Sequence, residues 1–214
     1  MSKRFLLVLI VCVLGLIGVY VATSEKEDAS TPKSSGATIS NNVIGANKKG
    51  VTLVEYGDFQ CPACAGYHPL VKQIIEKYKD DIQFQFLNFP LQQFHQNARA
   101  AARTAEAAGK QGKYWEMHDI LYEQQDSWKD STSVNTIFDG YATQLGLNLQ
   151  QLKTDFGSNA VNETINADLA EGQRLGVDST PTFFLQGKKI EDLPRDLAGF
   201  TKLIDQAIKD AQKN

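Results

Sequence analysis

The chain reads as an α/β fold in which a strand–helix–strand unit and a hairpin–helix unit are separated by a long helical block. Three observations predict it. A short apolar strand, Val51-Thr52-Leu53-Val54-Glu55-Tyr56, leads to Cys61-Pro62-Ala63-Cys64 and then to a helical stripe. The segment Ile82-Gln83-Phe84-Gln85-Phe86 alternates apolar and polar residues, the mark of a strand with one face in a core. Near the C-terminus, Thr180-Pro181-Thr182-Phe183-Phe184-Leu185 reads as a further strand region, with Gln186-Gly187-Lys188-Lys189 as its hairpin turn.

Before these elements comes an apolar segment. Lys3 and Arg4 precede an uncharged run from Phe5 to Ala22, and the next charges are Glu25, Lys26, Glu27 and Asp28. About 18 apolar residues are just enough to span a bilayer core as a helix. Residues 1–4 are therefore expected to be a cytoplasmic n-region and 5–22 a transmembrane signal-anchor, with the remainder outside the cytoplasm. The rival is a cleaved signal peptide, for which Ala22-Thr23-Ser24 is a poor site. Either reading exports the domain. Cys12 falls in the apolar run, and Val11 before it does not suit a lipoprotein site. Residues 23–47, rich in Ser, Thr, Asn, Gly and Lys, read as a flexible linker, with Asn42-Val43-Ile44-Gly45 the first segment that could pack on the domain.

The exported part divides into 48–92, an inserted helical subdomain over 93–176, and 177–214. After the cysteines, Tyr67, Leu70, Val71, Ile74, Ile75 and Tyr78 share a helical stripe that Asp80-Asp81 ends. Pro69 predicts a kink near Ala65. From Phe94 to Gly176 the pattern is helical, with Ala98, Ala101, Ala102, Ala105 and Ala108 on one small-residue face. Gly109, Gly112, Gly140, Gly146 and Gly157 are its expected breaks. Phe200, Leu203, Ile204, Ala207, Ile208 and Ala211 close the chain on another helical stripe. Without the block, the order βαβ-ββα is that of a thioredoxin fold.

With 42% hydrophobic and 22% charged residues the 214-residue chain is globular in composition. Its net charge of -3 and lack of a basic tract exclude a nucleic-acid footprint. Only three cysteines are present, so no disulfide framework is available and the C-x-x-C pair is free for redox chemistry. Cys61, at a helix N-terminus, faces free backbone N–H groups and the positive end of the dipole, which favour its thiolate. It is the expected nucleophile, with Pro62 in the first turn and Cys64, one turn on, the more buried resolving cysteine. A zinc half-site is the rival, with His68 at a possible ligand offset, but the set is incomplete.

Val54-Glu55-Tyr56-Gly57-Asp58-Phe59-Gln60-Cys61-Pro62-Ala63-Cys64 resembles the active-site signature of DsbA-like thiol:disulfide oxidoreductases. The likeness continues in Gly66-Tyr67-His68-Pro69, Asn88-Phe89-Pro90-Leu91, Gln111-Gly112-Lys113-Tyr114-Trp115 and Ser179-Thr180-Pro181-Thr182-Phe183, over essentially residues 40–210. It implies a thioredoxin fold with an inserted helical domain and the oxidation of exported proteins. It also implies an acidic residue, Glu55, beneath Cys64 for proton exchange, and a Thr180–cis-Pro181 pair facing the cysteines and offering an edge to substrate. Ala63 departs from the His of the best-studied members, which predicts an oxidant of intermediate strength.

The expected partners are reduced exported proteins, a membrane quinone-linked partner that reoxidises the pair, and the membrane itself through the N-terminal helix. No nucleic acid, metal or cofactor is expected, and the chain is expected to be a monomer. The alternatives are a reductase or isomerase of the same fold and a non-catalytic binding module or chaperone. His95 and His118 read as structural or surface residues, Tyr114 and Trp115 as subdomain core, and Asn162-Glu163-Thr164 as a chance sequon. Gln92-Gln93 and Gln124-Gln125 carry no functional reading.

Overall fold

The computed structural model describes residues 38–213. Five strands form one mixed sheet: β1 (Asn42–Ile44), β2 (Val51–Gly57), β3 (Ile82–Asn88), β4 (Thr182–Leu185) and β5 (Lys188–Lys189), in spatial order β1-β3-β2-β4-β5. β2 and β3 are parallel, joined through helix α1 (Pro62–Tyr78), which makes the expected βαβ unit. β1 lies antiparallel on β3, and β4 antiparallel on β2. Between β3 and β4 run six helices: α2 (Ala98–Gly109), α3 (Tyr114–Glu123), α4 (Gln125–Trp128), α5 (Val134–Gln144), α6 (Leu149–Phe156) and α7 (Asn159–Arg174). Helix α8 (Leu197–Ala211) closes the chain and packs on α1, where Tyr78 donates to Asp205 at 2.7 Å.

The two faces of β2 explain where the site lies. Val51, Leu53 and Glu55 alternate onto one face, so Glu55 is carried into the main core by the pleat that buries its apolar neighbours. That core holds Cys61, Cys64, Val71 and Ile74 of the active-site region, Phe84 and Phe86 of β3, and the helical insert through Met117, Leu121 and Trp128. Tyr56 points the other way, into a smaller cluster with Leu87, Phe89, Val177 and Phe184. The Ala-rich face of α2 is buried at Ala101, Ala105 and Ala108, as close helix packing requires.

Several boundaries differ from the sequence expectation. The linker expected over 23–47 includes a strand: residues 42–44 pair with β3, and buried Ser40 donates its backbone N–H and its hydroxyl to Asp168 of α7. Three residues on a polar stretch carry no alternation, and distant partners, including Trp115 and Glu106, hold them. The expected four-residue hairpin turn is two residues long, because Lys188–Lys189 form β5. Gln186 and Gly187 both have positive φ, the geometry of a tight two-residue hairpin. Helix begins at Ala98, and residues 92–97 are turns instead. Gly140 is no break; it lies inside α5, whereas Gly112 and Gly146 do end turns at positive φ. Helix α1 runs through Pro69 without interruption. Among the described residues no helix is long and apolar enough to cross a membrane. The expected anchor over 5–22, the segment 1–4 and Cys12 lie outside the described residues.

Gly57, at the end of β2, has no room for a side chain: an added Cβ would sit 2.3 Å from the Phe86 ring and 3.0 Å from the Tyr122 hydroxyl. Gly57→Ala is expected to lower unfolding free energy by about 1–3 kcal/mol, measured as a lower urea midpoint with unchanged slope.

Candidate active site

Cys61 is the N-cap of α1, with extended backbone (φ -70°, ψ 123°) and Pro62 in the first turn, where a missing N–H is no loss. Its carbonyl accepts the first helical bond, from Ala65 N–H at 3.1 Å. Its sulfur is thereby set over the unpaired N–H groups of the first turn. Cys64 lies one turn on and is the more enclosed, 1% exposed against 7% for Cys61. Both are free thiols.

The loop before α1 is held from the helical insert. Gln125, the first residue of α4, donates its amide to the carbonyls of Phe59 at 2.8 Å and Cys61 at 3.1 Å. Gln60 donates to the Lys129 carbonyl and accepts from Asn97 N–H, each at 2.7 Å. Asp58 accepts from Gln60 N–H and Leu91 N–H and faces His95 Nδ1 at 2.7 Å. None of Asp58, Gln60, Gln125 or Tyr122 was singled out from the sequence. Asp58 had a signal in its Asx-turn spacing to Gln60. Gln125 had none, since the carbonyls it binds lie more than sixty positions away.

Opposite the cysteines, the Thr180–Pro181 peptide is cis, and the Cys61 thiol lies 3.3 Å from the Thr180 carbonyl oxygen. Ala63 lines a surface hollow with Gly66, Tyr67, Leu70 and Arg195. His95 is tied to Asp58; Tyr114 and His118 are buried, and Trp115 donates to the Val43 carbonyl at the β1 edge.

The thiols are electrostatically unequal. The Cys61 thiol is pulled down from its ordinary 9.0 to about 5. The Cys64 thiol donating to its sulfur is the largest cause, and the N–H groups of Ala63 and Cys64 add to it, against the opposing effect of burial. Burial pushes the Cys64 thiol well up, helped by its bond to Cys61 and by the Glu55 charge. Glu55 is itself raised to about 8, first by burial and then by Cys61, so it carries a proton at neutral pH. One face of the core thus brings together an easily ionised sulfur, a sulfur that holds its proton, and a protonated carboxyl. Such an arrangement supports exchange of a thiolate with a disulfide while moving one proton locally.

A βαβ-ββα frame with a helical insert, a C-x-x-C at a helix N-cap and a cis-proline facing it define a thioredoxin-fold dithiol site. The sequence profile of the thioredoxin family matches residues 37–206, and the chain belongs to that family. Among solved structures, BdbD from Bacillus subtilis in its oxidised form is 25% identical, with a TM-score of 0.68 over 78% of this chain and 92% of that one. The α-DsbA1 protein of Wolbachia pipientis shares the fold, with a TM-score of 0.69 over 82% of this chain and 94% of that one at 21% identity. The second neighbour carries the DsbA name, that of the family which the sequence resemblance implied. A curated relative, the Na(+)/H(+) antiporter NhaA 1 of Salinispora arenicola, is 34% identical over 149 residues, 70% of this chain. The chain spans only 22% of that antiporter's length.

The Cys61 shift gives a signed pH dependence. In the reduced protein its contribution to stability is fully present above the unfolded value of 9.0 and is lost as pH falls through about 5. Glu55, raised to about 8, acts in the opposite sense, losing stability as pH rises; burial, the larger cause of its shift, is common to both redox forms. The stability of the reduced form relative to the oxidised form is therefore expected to rise between about pH 5 and 9, by up to roughly 1.4 kcal/mol per pH unit. Denaturant unfolding of both forms across that range measures it; a pH-independent difference would contradict the assigned thiolate.

Proposed function

We propose that this protein is an extracytoplasmic thiol:disulfide oxidoreductase that introduces disulfide bonds into exported proteins through Cys61 and Cys64. The observation that carries the reading is the depressed pKa of Cys61, which stabilises the reduced enzyme and so makes its disulfide oxidising.

In the proposed cycle a substrate thiolate attacks the Cys61 sulfur of the enzyme disulfide. The Cys61–Cys64 bond breaks, and Cys64 leaves with the bonding pair and takes a proton, for which protonated Glu55 is the near source. A second substrate thiolate then attacks the substrate sulfur of the mixed disulfide and expels Cys61 as a stabilised thiolate. Two electrons pass from the substrate dithiol to the enzyme, and the substrate leaves with a disulfide. The cis-Thr180–Pro181 segment, whose carbonyl meets Cys61, would position an extended substrate strand. Reoxidation by a membrane quinone-linked partner, with the N-terminal segment holding a monomeric domain near it, completes the reading. The leaving-group argument supports the oxidative direction over a reductase, whose disulfide would be the stabilised state; an isomerase shares the stabilised thiolate and is separated by a scrambled-substrate assay.

Equilibration with glutathione tests the direction. The expected potential is intermediate, clearly above the thioredoxin value of about -270 mV; a value that low would overturn the oxidative reading. In the same cycle, Glu55→Gln is expected to slow reoxidation, where Cys64 must lose its proton, by roughly 10²-fold while leaving the Cys61 midpoint within the acid range. Stopped-flow oxidation of the reduced variant by a small disulfide would report it.

A further inference from the structure

Behind the dithiol lies a second cluster of ligating side chains that the redox chemistry does not use. Among the described residues, one group of three His, Cys, Asp or Glu side chains converges closely enough for a metal ion: His68, His118 and Asp119, whose ligand atoms lie within 4.8 Å of one another. His68 is on α1, one turn past Cys64; His118 and Asp119 are adjacent on α3. His118 Nδ1 is 3.2 Å and His68 Nε2 3.6 Å from the same Asp119 oxygen. Donors held at 2.0–2.1 Å from one tetrahedral ion are separated by roughly 3.3 Å. Glu123 stands at the rim, with a carboxylate oxygen 4.0 Å from His68 Nε2.

The imidazoles point to a ligand independently of their spacing. Their side chains are only 4% and 2% exposed, yet His68 Nε2, the nitrogen that faces the Asp119 carboxylate, lacks a hydrogen-bond partner. Buried polar atoms are ordinarily paired, and an orphan costs about 1–3 kcal/mol. The His68 ring stacks on Tyr122, while His118 is walled by Phe59, Phe86 and Trp115. These rings keep water from serving as the partner on that side.

We propose that His68, His118 and Asp119, with Glu123 at the rim, bind a divalent first-row transition ion of the zinc type. Two imidazoles and a carboxylate are the donor set that suits such an ion rather than a magnesium- or calcium-type one, which takes oxygen ligands. Without metal, the acidic side is balanced by Lys72, whose ammonium lies 3.1 Å from Asp119 and 2.8 Å from Glu123. Lys72 is about half exposed and free to swing outward, so it acts as a built-in competitor for the carboxylates. The sequence had associated His68 with Cys64, four positions away; the fold associates it instead with two α3 residues fifty positions on.

The test uses Zn²⁺ alone, titrated by calorimetry into the full-length protein carrying Cys12→Ser with Cys61–Cys64 oxidised, so that no thiolate competes. One equivalent is expected to bind and to raise the melting temperature. Asp119→Asn is expected to weaken binding at least tenfold, and Lys72→Met to strengthen it at least threefold. Absence of a one-equivalent site, or affinity unchanged in both variants, would overturn the proposal. Lys72→Met removes only a half-exposed charge, so its result stands even if Asp119→Asn does not fold.

Discussion

The structure depends on one constraint: the Cys61 sulfur must sit at the open N-terminus of α1 while almost shut off from water. Burial alone would raise its pKa; the bond from Cys64 and the first-turn N–H groups outweigh burial and bring it down to about 5. Every element around the motif serves that balance. Pro62 begins the helix at the residue after Cys61, Gln125 and Gln60 fasten the loop carbonyls, and the cis-Thr180–Pro181 turn closes the opposite wall.

The same enclosure makes the two cysteines different. A small difference in enclosure separates a sulfur that ionises readily from one that keeps its proton, and the pleat of β2 carries Glu55 into the same core. The helical insert is therefore part of the site. It supplies Gln125, Asn97 and Tyr122, and through His118 and Asp119 it meets the face of α1 that lies behind the dithiol.

What was legible in the sequence was what local chemistry encodes. The apolar run of β2, the proline after Cys61 and the stripe from Tyr67 to Tyr78 need no distant partner to be read. Thr180 and Pro181 were legible only through the family resemblance, because nothing local distinguishes that proline from one at an ordinary strand start. Residues 42–44 were legible as a segment that packs on the domain but not as a strand, because β1 is three residues long and is held by β3 and, through Ser40, by Asp168, 128 positions away. Gln125 looked like one of many surface glutamines because its role lies entirely in two carbonyls far back in the chain. Lys188 and Lys189 read as part of the turn, yet they pair with β4 as an edge strand, which tolerates charge.

The central claim is that the reduced site holds one thiolate and one thiol at neutral pH. The pH dependence of the reduction potential tests it most directly. Above the value of about 5 assigned to Cys61 and below the about 8 of Glu55, reduction takes up one proton for two electrons. The potential should then fall by about 30 mV per pH unit. A slope of about 59 mV per pH unit, two protons for two electrons, would mean that Cys61 stays protonated and would contradict the account.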